Sequence, residues 1–488
     1  MSFNTAKTGQ QTFSTHEGGR GYLASPEWQL FLLVAGSLFA GDTFYEGEEG
    51  RKQRLAFLAK EVTARDPELV AGLAVFARQV LGLRSGPSAL VAHLFWEGPR
   101  PLALAAASGV WLRGDEHLET LAYTRAQGWK LRKSLKKAVA ERLNRMSPRA
   151  LIKYAANNRL FSQRDALILS HPKAADREHA LVYDYLVRGK RASPEALAFV
   201  ARLLEEKPSW EHVVSQKGST PAVWRSMVPH LEGLALVRNL GNLARHDLLS
   251  DPEVQAILLE KLSQPERVKA WGIPPHGWLL ALEEVGDSMP PRLREAVVGA
   301  VESLVPRLPL QGETLVLVDV SGSMFSPLSR WSQATYALAA AGLGALLVKA
   351  TGGQLFGFSD ELIRLELGSE ASVVEMVEAL LDRGMGGTQL GRALREALRL
   401  FWGKRVVIFT DEQVADDAYT PLRRWLKEEP GRKAYVVNVA GYEPLAFPHG
   451  GVVRIGGFSD KLLELLPVLE STDPLEWIRR MAREGVVA

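Results

Sequence analysis

At 488 residues the chain exceeds one ordinary hydrophobic core, and 46% hydrophobic with 24% charged residues excludes a disordered or fibrous chain. It contains no cysteine, which removes disulfide frameworks, thiolate zinc sites and cysteine nucleophiles together. The net charge of +3 hides a division: residues 1–300 hold 39 Lys and Arg against 32 Asp and Glu, net +7, and residues 301–488 hold 20 against 24, net −4.

The first twenty residues are polar and lack an apolar signal segment, and the longest apolar run, Leu30 to Ala40, is too short to cross a bilayer. A buried helix in a cytoplasmic protein is expected there. From residue 20 to about 305 the pattern is helix after helix. Segments such as RKQRLAFLAKEV, PELVAGLAVFARQVLG, EALAFVARLLEEK and DPEVQAILLEKLS place apolar residues at three- and four-residue intervals, broken by Gly, Pro, Ser or Asp. Many short amphipathic helices without intervening strands favour stacked helix pairs.

Within this stretch, Leu121 to Arg164 holds twelve basic residues and one acid, Glu141, an imbalance that suggests a polyanionic partner. Leu131, Leu135, Ala138 and Val139 form one helical face, with Lys130, Lys133 and Lys137 roughly opposite. Arg142 falls near the apolar side. Downstream, Ser162 and Asp165 start a helix that Pro172 closes, leaving His171 at its end and Lys153, Tyr154, Arg159 and Phe161 in or beside the preceding loop. Cations interleaved with aromatic rings offer phosphate contacts and stacking faces to single-stranded RNA. A solvated helix face with a C-capping histidine accounts for the same residues.

Two prolines and a glycine in VPRLPLQGE, Val305 to Glu313, mark a linker. Beyond it strand-like and helical runs alternate: TLVLVD, QLFGFS, LIRLEL, RVVIFTD, KAYVVNVA and VVRIGG, with helices near ATYALAAAGLGALLVKA, SVVEMVEALLD and LGRALREALRLFW. This predicts a doubly wound α/β domain, whose ligands bind outside the carboxyl ends of the strands. There lie Asp319, Ser321 and Ser323 in DVSGSMF, Thr388 in GMGGTQL, and Asp411 at the end of VVIFTD. Two carboxylates and three hydroxyls suit a hard divalent cation, Mg²⁺ first and Mn²⁺ or Ca²⁺ next. Taken singly, the same residues make an Asx-turn and helix caps; their co-occurrence favours the cation. No His or Glu accompanies them as a general base, and Glu412 is expected to face solvent, so no enzyme activity is expected.

The Asp-x-Ser-x-Ser, Thr and Asp elements resemble the metal-ion-dependent adhesion site (MIDAS) of von Willebrand factor A domains. Together with RKSLKKAVAERL, IKY...SQRDALILSH and LVRNLGNLARHDLL, they make the chain resemble the Ro ribonucleoprotein family. That resemblance implies a TROVE domain over residues 20–305, an all-α ring of HEAT-like helical repeats, followed by a von Willebrand A domain over 312–488. It further implies Y RNA on the outside of the ring and single-stranded ends of noncoding or misfolded RNA in its hole. An exoribonuclease is an implied associate, and an acidic protein ligand is implied at the metal site. Lys153 and His171 match RNA-contacting positions of the family, and Arg132, Lys133, Lys136 and Lys137 match its basic helix. Asn157 stands where many relatives carry a basic residue, and Arg159 is placed to substitute for it. Arg238 and Asn239 are also similar to the family. Two other readings remain: a protein-binding scaffold partnering an AAA-type ATPase without RNA, and a metal-dependent hydrolase lacking a visible base.

Overall fold

The computed structural model describes residues 13–36, 42–155, 160–206, 210–310, 313–329, 333–368, 370–470 and 472–484. The chain forms two compact units. One combines the residues up to Arg51 with Leu304–Pro474, and the other combines Lys52–Ser303 with the residues from Leu475 onward. These divisions differ at both ends from the expected 20–305 and 312–488. Residues 20–51 pack with the later α/β unit, and the last helix packs with the helical unit.

The helical unit is built as its sequence pattern demands. Helix Pro67–Gln79 starts at Asp66, whose side chain accepts from Leu69 N, with Pro67 in the first position where no amide bond is lost. It packs against Ser85–Trp96 and Arg100–Val110, and Ser85–Trp96 packs in turn on Glu116–Ala126. Farther along, Gly233–Arg245 packs on Pro275–Val285, and Pro252–Leu262 on Pro291–Glu302. Such contacts between near neighbours in sequence are what serial helix pairs produce. The closing helix Pro474–Glu484 reaches the first of these. Arg479 Nε donates to Asp66 at 2.7 Å, Arg483 pairs with Glu68, and Trp477 meets Phe76 edge-on at 5.8 Å.

In the α/β unit a short hairpin, β1 (Phe13–Ser14) and β2 (Arg20–Gly21), precedes a six-stranded sheet. The sheet strands are β3 (Thr314–Asp319), β4 (Gln354–Phe358), β5 (Leu362–Arg364), β6 (Arg405–Thr410), β7 (Lys433–Asn438) and β8 (Val453–Gly456). Their order is β5-β4-β3-β6-β7-β8, parallel except for the antiparallel edge strand β5. Every residue of β3 and β6 is buried, as continuous apolar strands covered on both faces require. Chain connections leave β3 toward β4 on one side and β6 toward β7 on the other, which opens a crevice at their carboxyl ends. Helix Pro26–Gly36 is buried along most of its length, as expected of the apolar run beginning at Leu30; residues 37–41 of that run lie outside the described residues. Among the described residues no helix is long and apolar enough to cross a membrane.

Candidate metal centre and nucleic-acid interface

The crevice between β3 and β6 brings the five sequence-predicted donors together at the ends of three chain segments. Asp319 ends β3, and its Oδ1 accepts from Ser321 N at 3.0 Å, the Asx-turn that swings the next residues back over the strand end. Asp319 Oδ2 accepts from Thr410 Oγ1 at 2.6 Å, fixing the carboxylate against β6. Ser321 and Ser323 hydroxyls stand 3.4 Å apart, and Ser323 donates to Asp411 Oδ2 at 2.7 Å. Asp411 Oδ1 accepts from Gln413 N at 2.9 Å. The third segment, Gly384–Thr388, is tied in by Gly322 N donating to Gly386 O at 3.0 Å and Met385 N to Val320 O at 2.7 Å. Gly386 has φ 108°, and a Cβ there would lie 2.3 Å from Asp360 Oδ2, so only glycine lets this loop close.

All five side chains are buried. Neither aspartate pairs with a Lys or Arg among the described residues. Burial raises both carboxyls above the usual carboxylate range, and the Asp319 charge pushes Asp411 further in the same direction. The Thr388 hydroxyl makes no hydrogen bond to a described residue. Two like charges in a dry crevice with an unused hydroxyl beside them fit a hard cation, which would reverse the repulsion and use the free oxygen lone pairs. Among the described residues no three of His, Cys, Asp and Glu are arranged to hold a metal. A cation held between the two aspartates would meet carboxylate and hydroxyl oxygens, the donor types that Mg²⁺ prefers.

Glu412 does not face solvent. It is fully buried with φ 61°, and its carboxylate accepts from Arg454 Nε at 2.8 Å and Arg454 Nη2 at 2.9 Å, from Asn438 Nδ2 at 3.0 Å and from Ala446 N at 3.2 Å. The left-handed backbone turns its side chain inward, away from the outward position that its neighbour Asp411 suggested. A carboxylate so engaged is a structural anchor for the loops around the crevice rather than a base.

The basic segment resolves differently from its helical-wheel reading. The helix begins at Lys133 and runs to Arg145, so Lys130 and Leu131 precede it and Arg132 is its N-cap. Leu135, Ala138, Val139 and Leu143 form the buried face. Lys133 and Lys136 therefore sit in the first turn, where the helix dipole disfavours cations by about 0.3–1 kcal/mol each, and Lys137 follows in the second. Among the described residues none of Lys130, Lys133, Lys136 or Lys137 has an acidic partner. Arg142 turns inward: its Nη2 donates to Leu112 O and Arg113 O, both at 3.1 Å. Arg132 lies over the Trp96 ring at 4.8 Å, and Trp96 is stacked on Trp129 at 5.3 Å and 4°.

The neighbouring helix Gln163–Ser170 packs on this basic helix and starts with the expected capping box, Ser162 with Asp165. His171 is its exposed C-cap at φ 47°, and Lys153 is exposed with its ammonium 5.6 Å from the Tyr154 ring centre. Phe161 is buried, so it offers no stacking face; its ring anchors the entry to the helix. Asn157 and Arg159 lie outside the described residues. Arg238 is exposed, whereas Asn239 is buried and bonded to Ala235 O and Asn242 at 2.7 Å, a contact within its own helix.

Residues 200–299 match the family model of the TROVE domain. The chain is also similar to the crystal structure of the Deinococcus radiodurans Ro (RSR) protein, with a TM-score of 0.65 and 22% identity over 95% of this chain and 100% of that one. Residues 200–299 are thus similar to a TROVE domain, and the chain shares the fold of that Ro protein. Its fold combines the all-α unit and the doubly wound α/β unit anticipated from the sequence. The stretch matched by the TROVE model begins after the basic segment and ends before β3. Both candidate sites thus stand on their own geometry.

Two parts of the sites escaped the sequence reading. Thr410 carries a signal in hindsight, since it directly precedes Asp411 and reaches back to Asp319. The N-terminal hairpin carries none, because its contacts with the loop after Asp411 span some 400 positions.

Proposed function

We propose that this Ro-like chain is a non-catalytic RNA-binding scaffold for RNA quality control or processing. The helical unit takes Y RNA-like small noncoding RNA on its exterior and admits single-stranded RNA ends to its ring. The observation that carries the reading is the set of lysines around the start of helix Lys133–Arg145 that have no acidic partner among the described residues. They stand where the helix dipole already concentrates positive potential, and Arg132, Trp96 and Trp129 form a stacked edge beside them. A folded chain keeps so unfavourable a cluster where a polyanion repays it. Lys153 and His171 extend the cationic surface.

In the α/β unit, Asp319, Ser321, Ser323, Thr388 and Asp411 would hold one divalent cation, Mg²⁺ by preference, through carboxylate and hydroxyl oxygens. The cation would supply an electrophilic position for an acidic protein ligand, such as an associated exoribonuclease offers. The engagement of Glu412 by Arg454 supports a binding role over hydrolysis.

The test is a gel shift of the purified full chain with small structured RNA across a salt series. Each phosphate neutralised contributes about −0.7 to −0.9 to the slope of log K against log salt, so Lys133→Glu with Lys137→Glu should flatten that slope by roughly two units. No affinity for small RNA at low salt would overturn the proposal.

A further inference from the structure

The α/β unit carries a groove outside the metal crevice, lined by none of the five donors. It runs between helices Leu390–Ala397 and Tyr419–Glu428, which pack on each other, and encloses about 650 Å³. Phe401 and Trp425 form its floor: both are buried, with ring centres 6.1 Å apart. Arg432 lies over the Trp425 ring at 4.7 Å and pairs with Glu428 at 3.2 Å, so this cation is held by the floor. At the rim stands Trp402, 81% exposed, with Leu400 48% exposed two residues before it. This presentation is built in. A Cβ at Gly403 would lie 2.3 Å from Phe401 Cζ and 2.7 Å from Glu313 O, so only glycine lets the chain bury Phe401 and leave Trp402 outside. Trp402 stands three residues before β6, at the end of that strand opposite to Asp411.

Two donors in the lining have no partner among the described residues. Arg399 is exposed and makes no ion pair or hydrogen bond to them. The Trp425 indole N–H is buried without an acceptor, a donor that a ligand oxygen reaching the floor would meet. The neighbouring arginines are committed, Arg395 to Asp416 at 3.6 Å and Arg424 to Glu428 at 3.4 Å. One free cation beside an exposed indole matches one carboxylate beside one bulky apolar side chain. A nucleic-acid strand fits worse, because its successive phosphates need several free cations and Asp417 and Glu428 in the same lining would repel them.

We propose that this groove is a docking site for a short linear segment of a partner protein in which an acidic residue lies close to a large apolar one. The apolar side chain packs against Trp402 over the Phe401–Trp425 floor, and the carboxylate meets Arg399. Tryptophan and arginine are the side chains that most often dominate binding energy at protein interfaces. The interaction needs neither RNA nor the divalent cation, so it holds a partner at a surface separate from both sites described above.

The experiment is fluorescence polarisation of the full chain with labelled short peptides that carry one Glu at varied spacing from one Leu in a Gly-Ser background. The same peptides with Gln for Glu or Ala for Leu, and labelled oligouridine, are the comparisons. Peptides holding both residues should bind, and each altered peptide should bind about tenfold more weakly. Trp402→Ser and Arg399→Gln should each lower affinity by about tenfold or more at unchanged melting temperature, since both side chains are exposed, and Arg399→Lys should recover part of the second loss. EDTA should change nothing. Peptide binding that EDTA abolishes belongs to the metal crevice and overturns the groove. Absence of binding by every peptide up to about 1 mM, or equal affinity in wild type and Trp402→Ser, overturns it too. Oligouridine that competes with the peptide and is itself lost in Trp402→Ser assigns the groove to RNA, and a wild-type dimer that Trp402→Ser dissociates in sedimentation assigns it to a second copy of the chain; either result overturns the proposal.

Discussion

Replacing Glu412 with glutamine separates an anchoring role from a chemical one. The carboxylate receives four donors, two on each oxygen: Arg454 Nε and Asn438 Nδ2 on Oε1, Arg454 Nη2 and Ala446 N on Oε2. Glutamine keeps the shape but turns one oxygen into an NH₂ group, which must point at two donors whichever way the amide is flipped. The buried Arg454 charge also loses its counter-ion. Breaking a buried pair by removing one partner costs about 3–5 kcal/mol. At roughly 2–4 °C per kcal/mol for a unit of this size, the melting temperature of the α/β unit should fall by about 10 °C. Scanning calorimetry of the full chain reads this directly, and the helical unit's transition should stay in place. The double replacement Glu412→Leu with Arg454→Met should recover much of the loss, since apolar pairs of similar volume often match a buried ion pair. A fall of less than about 2 °C for Glu412→Gln would refute the anchoring argument and reopen the question of a free carboxylate beside Asp411.

Asp319→Ala should abolish the stabilisation of the α/β unit by Mg²⁺, which for wild type at a hundredfold excess over Kd is about 2.7 kcal/mol, while RNA gel shifts stay unchanged; equal Mg²⁺ responses in calorimetry would reduce the site to a capped turn. Lys153→Ala with His171→Ala should weaken RNA binding severalfold at an unchanged melting temperature, because both side chains are exposed; parallel loss of folding would make them structural. His117 is fully buried and its pKa is pushed down to about 4 by burial, so the folded unit binds fewer protons than the unfolded chain between that value and 6.5. Stability from this residue is complete above about pH 6.5 and is lost as pH falls toward 4, on the order of 3 kcal/mol. Denaturant melts of the helical unit in His117→Gln should show a flatter acid limb.

What the sequence disclosed follows from how local each determinant is. The capping box at Ser162 lies within four residues of the helix it starts, and it forms as the spacing implies. The burial of β3 and β6 is written in their unbroken apolar runs, and the five oxygen donors follow because α/β topology collects strand ends. The basic helix was legible in composition but not in register. Its start at Lys133 depends on Arg132 leaving helical geometry at the cap, which no apolar period reports. Glu412 was misplaced because its inward turn needs a left-handed backbone and an arginine 42 residues later. The attachment of residues 13–51 was invisible for a similar reason: backbone groups at Gly19 and Tyr22 pair with Val414 and Leu445, and such pairing leaves no pattern in either stretch.

The arm that joins the α/β unit is also the first part of that unit to be synthesised. During translation it must wait while the entire helical unit emerges, because the sheet it clamps is encoded after Leu304. Helical segments with near-neighbour contacts can fold as they leave the ribosome, whereas closing a chain loop of that length carries an entropic cost that only the finished sheet can offset. The crevice at the carboxyl ends of β3 and β6 is therefore assembled before the hairpin arrives. A nascent or freshly refolded molecule should pass through a stage in which the ends of β3 and β6 are formed and the hairpin is not yet clamped to the loop after Asp411.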